Sequence, residues 1–259
     1  LDGNAGKLTN VNVTTGTLST NSAAFLGGAG STVSLSNGSH LTFNGTTAAT
    51  FAGNIVDAAS ATTGAVTVSG ANATTLSGTN TYSGTTSISG TLITGSDGAL
   101  SANSAFSLTG TGVLTVNNNN TVKSIIDSGA AVVNLNGAAT SLTIAGSTLS
   151  AWGAPGGTMT GAGDLIKSGT GIFQLDGANA INLTGSATDG QFVINNGTVN
   201  VIVAGAITAT TAVQVNSTAT TTGILNVNQS DAIGSLAGTG ANAQVNIASG
   251  KTLTTGALN

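Results

Sequence analysis

Leu76 to Leu92 reads LSGTNTYSGTTSISGTL. The stretch holds no cysteine, acid or base and no nucleophile–base pair, yet it is regularly patterned. Taken alone it reads as a structural unit, one coil among many. The same character recurs along the chain in Val113-Leu114-Thr115-Val116, Val132-Val133-Asn134-Leu135, Phe173-Gln174-Leu175, Phe192-Val193-Ile194, Leu225-Asn226-Val227 and Val245-Asn246-Ile247. Strict alternation over a few residues marks a strand, because successive side chains point to opposite faces.

Spacing separates the candidate architectures. Leu114 to Val133, Phe173 to Phe192 and Leu225 to Val245 lie roughly 20 residues apart, within the range of solenoid repeats. Intervening segments such as Leu142-Thr143-Ile144 point to more than one strand per turn. The dipeptides Asn44-Gly45, Asn136-Gly137, Asp176-Gly177 and Asn196-Gly197 fill the gaps and are expected to supply positive-φ corners. A flat sandwich would need hairpins and antiparallel neighbours. Near-constant spacing instead favours an all-β parallel β-helix, or β-solenoid, running through residues 1–259 as one continuous unit. Roughly a dozen coils are expected, making a rod roughly 60 Å long.

Composition narrows the class. Charged residues are 5% of the chain, against about 25% in a typical soluble domain. All bases are Lys (Lys7, Lys123, Lys167, Lys251) and all acids are Asp. A mean hydropathy of +0.32 with a net charge of -4 is not that of a disordered chain. Abundant Gly and β-branched residues argue against helices. Four scattered lysines make no basic patch, so nucleic acid is not an expected partner. No run of about 20 apolar residues exists to span a membrane as a helix. Cysteine is absent, as in an exported chain that must cross a membrane unfolded or in a cytosolic one that merely lacks it.

The opening stretch closely resembles the autotransporter-associated β-strand repeat, L-x-G-x-N-T-Y-[ST]-G-x-T-x-I-x-x-G-T-L. Leu76, Gly78, Asn80, Tyr82, Gly84, Ile88, Gly90 and Leu92 carry the match, with the spacing before the last Gly-Thr-Leu shortened by one. Phe51-Ala52-Gly53-Asn54-Ile55 is similar to the segment that often precedes it. A second copy from Gly163 to Asn179 resembles G-x-L-x-K-x-G-x-G-x-x-x-L-x-G-x-N, then departs at Ala180-Ile181, where Thr-Tyr would stand. Phe192 to Val199 resembles the returning strand. The resemblance implies a right-handed β-helix passenger of a type V secreted protein, extracellular or displayed on the surface of a Gram-negative bacterium. It further implies a host-cell or surface receptor, or like chains, as partner, and a translocator barrel in the full-length protein. With no leader at Leu1-Asp2-Gly3 and no such barrel, the chain is read as the middle of a longer passenger.

Sites of chemistry are sparse. Asp164, Asp176 and Asp189 form the densest acidic group, and with a coil near 20 residues they are not expected to share a face. They are read as turn carboxylates, with a glycosidase pair as the distant alternative. His40 is the lone histidine and is read as a surface residue, since no G-x-S-x-G elbow accompanies it. Gly161-Ala162-Gly163 lacks the third glycine of a dinucleotide fingerprint. No catalytic residue, metal or cofactor is expected. Asn117 to Asn120 is expected to form a turn with stacked amides.

Ala151 to Gly157, AWGAPGG, breaks the rhythm and is read as a loop leaving the coil. Trp152 and Pro155 are the candidate contact residues there. Trp152 has two readings, an exposed platform for a sugar or partner and a plug in the core, of which the plug is preferred. The expected function is an adhesin, stalk or spacer. Self-assembly through unpaired strand edges comes second. A regular Thr face binding ice or polysaccharide comes third, with only scattered T-x-T runs such as Thr208-Ala209-Thr210.

Overall fold

The computed structural model describes residues 8–22, 26–59, 63–184, 186 and 188–256. Leu1-Asp2-Gly3 and Lys7 lie outside the described residues. The chain winds into a parallel β-helix whose coils are counted by one sheet of 11 strands, from Thr17–Thr20 to Gln244–Ile247. Every neighbour pair in that sheet is parallel. At about 4.8 Å per step, eleven coils make a rod about 50 Å long.

Two further sides complete each coil. The second is a 7-stranded sheet from Ala49–Phe51 to Ile181–Leu183, which continues through an isolated parallel bridge between Ile181 and Ile207. The third begins with the sheet of Asn10–Val13, Thr32–Leu35 and Asn54–Asp57, and resumes as six strands from Asn120–Val122 to Ser235–Thr239. Between those two blocks the third side is carried by the segments around Asn80 and Leu100. No helix among the described residues is long and apolar enough to cross a membrane.

Alternation packs the interior. Leu41, Val66, Phe106, Phe173, Val199 and Leu225 are all buried on the large sheet, each on the same face of its strand. Fully burying each such side chain is worth roughly 1.5–3 kcal/mol. Outside, uncharged residues stack instead. Asn246 Nδ2 donates to Asn226 Oδ1 and Asn226 Nδ2 to Asn200 Oδ1, both at 2.9 Å.

The coil is not of constant length. Ala105 pairs with Ser124, a step of 19 residues, whereas Ile172 pairs with Thr198, a step of 26. Leu114 does stack on Val133, and Leu225 on Val245. Phe173 and Phe192, however, are not equivalents. Phe173 pairs with Val199 on the large sheet and Phe192 with Leu165 on the third side. Their rings instead meet edge to face across the core at 6.1 Å.

The repeat motif now has a physical account. Leu76, Tyr82, Ile88 and Leu92 are buried core residues. Gly78, Gly84 and Gly90 sit where a Cβ would lie within 2.5 Å of the carbonyl oxygens of Gly53, Gly64 and Gly70 in the coil before. The Tyr82 hydroxyl lies 2.6 Å from Thr86 Oγ1, which lies 2.8 Å from Ser104 Oγ, so three hydroxyls in the core form one chain. Burial pushes the Tyr82 phenol up to about 12, with those hydroxyl bonds opposing.

Corner glycines divide into two kinds. Gly137 and Gly197 adopt positive φ as expected of Asn-Gly turns. Gly45 and Gly177 do not, and correct that expectation. They are glycine because the chain approaches too closely, a Cβ on Gly177 lying 1.7 Å from Gly153 O and one on Gly45 lying 2.4 Å from Asn21 O.

Candidate functional site

The acids are coil-to-coil fasteners. Asp57 Oδ2 accepts from the Ser83 N–H and hydroxyl, Asp97 Oδ1 from Asn119 N, Asp127 Oδ1 from Gly153 N and Asp164 Oδ1 from Gln191 N. Asp176 Oδ1 accepts from Ala154 N and Asp231 Oδ2 from Ile207 N, both in the coil before. Each bond spans one coil and holds an N–H group at or beside a corner.

Because the coils lengthen here, Asp164 and Asp189 come close enough for one charge to act on the other. The three acids still share no one face, as expected, although two of them approach. Asp176 is turned elsewhere, toward Asp127. Asp189 Oδ2 accepts from the Thr188 hydroxyl at 3.1 Å. Among the described residues no group of three or more His, Cys or Asp side chains is placed to hold a metal ion.

Asp127 is the exceptional acid. Its register partner is Leu108, an inward position, so the carboxyl stands in a row of core side chains. Oδ2 is buried and has no hydrogen-bond partner. Burial pushes its pKa up to about 6. The Gly153 N–H bond opposes that rise and the Asp176 charge adds to it. Burial likewise raises Asp164 and Asp231. An acid with a raised pKa binds its proton more readily folded than unfolded, so stability increases as pH falls through that range. Lys167 does not reverse the trend, since its lowered pKa changes stability only between about 8 and its ordinary value. The melting temperature is therefore expected to be higher at pH 4.5 than at pH 7.5. Asp127→Asn should flatten the difference, as followed by circular dichroism melts.

Lys167 is the matching exception among the bases. It stacks between Ile144 and Ile194 on the third side and is 1% exposed. Its Nζ donates to Gly169 O, and at 3.4 Å to Asn196 O, so the lysine closes a glycine corner from inside. Burial alone pulls its pKa down to about 8. Its two carbonyl partners explain how a base is accommodated inside an apolar strand.

Directly outside that corner runs a groove of about 600 Å³, bordered by Ser83, Asn103, Lys123, Ser147, Ser168 and Asn196. These residues come from six successive coils at the junction of the third side with the large sheet. Lys123 is exposed and also borders two smaller depressions on the large sheet, one of which reaches His40. His40 is exposed at the start of its strand, His40–Phe43.

Trp152 does not face solvent. It is wholly buried at the end of the strand Ser150–Trp152, and its Nε1 has no hydrogen-bond partner. Of its two readings the structure has the core plug. The excursion is correspondingly shorter than 151–157, with Ala154, Pro155 and Gly156 exposed before the next strand starts at Thr158. Asn117 and Asn136 stack as expected, Asn136 Nδ2 donating to Asn117 Oδ1 at 2.9 Å. Asn120, by contrast, is buried at the start of a strand. The hydroxyls of Thr208 and Thr210 bond each other at 2.8 Å and form no outward ladder.

No family model matches the chain, and neither does a curated protein or a solved structure. The fold is an all-parallel β-solenoid of eleven coils. Such a rod is compatible with structural, adhesive or other non-catalytic roles.

Proposed function

We propose that this chain is a non-enzymatic rod of a surface protein, serving as adhesin, stalk or spacer in the manner of an autotransporter passenger exported by a Gram-negative bacterium. The observation that carries the reading is the use of the acids. Six of them, Asp57, Asp97, Asp127, Asp164, Asp176 and Asp231, hold backbone N–H groups of adjoining coils. The residues that would do acid–base work are thereby engaged in maintaining an extended surface. The match of Leu76 to Leu92 to the autotransporter-associated repeat supports the export route, as each matched residue has a coil-building role.

A second reading is favoured by one feature. Ile126, Leu149 and Ile172 are 43%, 57% and 41% exposed on three successive strands or strand edges of the large sheet. A face with an apolar cluster, bordered by Lys123, suits side-by-side assembly of like chains.

Negative-stain microscopy and sedimentation velocity across a concentration series separate the two. Monomeric rods about 50 Å long are expected. Assemblies that grow with concentration and dissolve on Leu149→Lys would replace the first reading with the second. Reducing-sugar release from a polysaccharide, lost on Asp164→Asn or Asp189→Asn, would overturn the non-enzymatic assignment.

A further inference from the structure

The corner groove differs from the rest of this acidic molecule in the sign of its charges. Lys123 stands exposed at its edge, and the ammonium of Lys167 lies just beneath its floor. No acid lines it, and the hydroxyls and amides of Ser83, Asn103, Ser147, Ser168, Thr170 and Asn196 supply neutral polar groups along its length. Asp57 approaches only the Ser83 end, where it is engaged by Ser83 itself. At one coil per about 4.8 Å, the six levels from Ser83 to Asn196 span about 24 Å.

Two features fix the class of occupant. Length and a repeating polar lining suit an extended chain rather than a lone anion. The two lysines sit about two coils, or roughly 10 Å, apart along the axis, so an extended chain with acidic groups along its length can set one against each. No aromatic ring lines the groove, and two cations are few for nucleic acid, which is held by many phosphate contacts and base stacking.

We propose that this groove binds a linear acidic oligosaccharide, laid along the rod axis with one carboxylate at Lys123 and another over the Gly169–Asn196 floor. The proposal rests on the adhesin form of the preceding reading and names its ligand class. Lys123 makes a charge-assisted hydrogen bond to the first carboxylate. Lys167 acts through its field, across a floor thinned by Gly169 and Gly197, and that field is little screened because the charge is buried. The groups packed on it are Ile144, Ile194, Gly197 and the two carbonyls, none of which titrates. Asp164, on the same strand, is tied to Gln191 N at the other end.

Lys167 supplies a readout specific to the groove. Desolvation holds its pKa at about 8 with no carboxylate to compensate. An anion above it favours the ammonium, so complex formation near pH 8 must take up protons.

The test is isothermal titration calorimetry of the full chain with an α-linked hexagalacturonate, a neutral cellohexaose and a single-stranded oligonucleotide. Hexagalacturonate alone is expected to bind. Lys123→Gln should weaken it roughly tenfold, the usual consequence of losing one charge-assisted hydrogen bond. At pH 8, titrations in two buffers of different ionisation enthalpy should report proton uptake, and Lys167→Met should remove it. Methionine suits the Ile144–Ile194 ladder, and circular dichroism checks that the variant folds; Lys123→Gln, on the surface, decides the matter if it does not. Equal binding of cellohexaose, preference for the oligonucleotide, indifference to Lys123→Gln, or no binding of hexagalacturonate would each overturn the proposal. Monomeric rods that bind none of the three leave the stalk or spacer reading standing while the groove assignment falls.

Discussion

Gly78→Ala is expected to destabilise the protein by roughly 3 kcal/mol or more, at the top of the range for overpacked sites. A Cβ there would lie 1.9 Å from Gly53 O and 2.5 Å from its carbonyl carbon, and both are backbone atoms. No rotamer change relieves such a clash. The chain at Gly53 is pinned by its neighbours, since Asn54 N donates to Ser31 O and Ser77 N to Phe51 O. Two coils would have to part, breaking ladder bonds on either side. Gly205→Ala is the control. It has a φ of +67° but nothing within 4 Å of the added carbon, so only backbone strain of roughly 1 kcal/mol is expected. Urea unfolding of the two variants beside the parent chain gives the comparison. Equal effects at both positions would show that conformational freedom, not close approach, governs these glycines.

That distinction marks the limit of what the sequence discloses. Alternation in Val113–Val116 and Val132–Leu135 located both strands and even their register, because the coil between them is short and the period near 19. The same reasoning paired Phe173 with Phe192 wrongly, because later coils carry longer corners and a fixed period slips onto the wrong side of the solenoid. Dipeptides such as Asp176-Gly177 announce a corner but not why it needs glycine. A positive φ is local, whereas the contact of Gly177 with Gly153 depends on the coil below.

The two buried charges carried a usable signal. In Asp164-Leu165-Ile166-Lys167, alternation puts Leu165 and Lys167 on one face, and Ile125 and Asp127 share a face in the same way. The groove carried none. Its lining comes from single small residues of six coils, and only their true lengths bring Ser83, Lys123 and Asn196 into line.

Asn80→Ala is expected to cost roughly 2–5 kcal/mol, the price of leaving buried backbone groups without partners. The Asn80 side chain is 4% exposed and stands where the third side has no regular strand. Its Oδ1 accepts from Ile55 N at 2.7 Å in the coil before, and its Nδ2 donates to Ala99 O at 2.6 Å in the coil after. One amide thus replaces the ladder bonds that strands would make. Two coils further on, Asn120 likewise accepts from Leu100 N at 2.9 Å in the coil before it, while its Nδ2 donates to Ser96 O and Asn118 O at 3.2 Å. Together they join the strand Asn54–Asp57 to the block that begins at Asn120–Val122. In a solenoid each coil contacts only its neighbours, so a defect at this junction should loosen the adjoining coils while distant ones hold. Hydrogen exchange should therefore accelerate at the Ile55 amide in Asn80→Ala and at the Leu100 amide in Asn120→Ala, with the amides of Leu225 and Val227 unchanged. Asn103→Ala, which removes an exposed amide bonded to Thr81 O, should change stability by less than about 0.5 kcal/mol. Slow exchange at Ile55 in Asn80→Ala would mean that another group takes over its bond, and Asn80 would then need an explanation other than this staple.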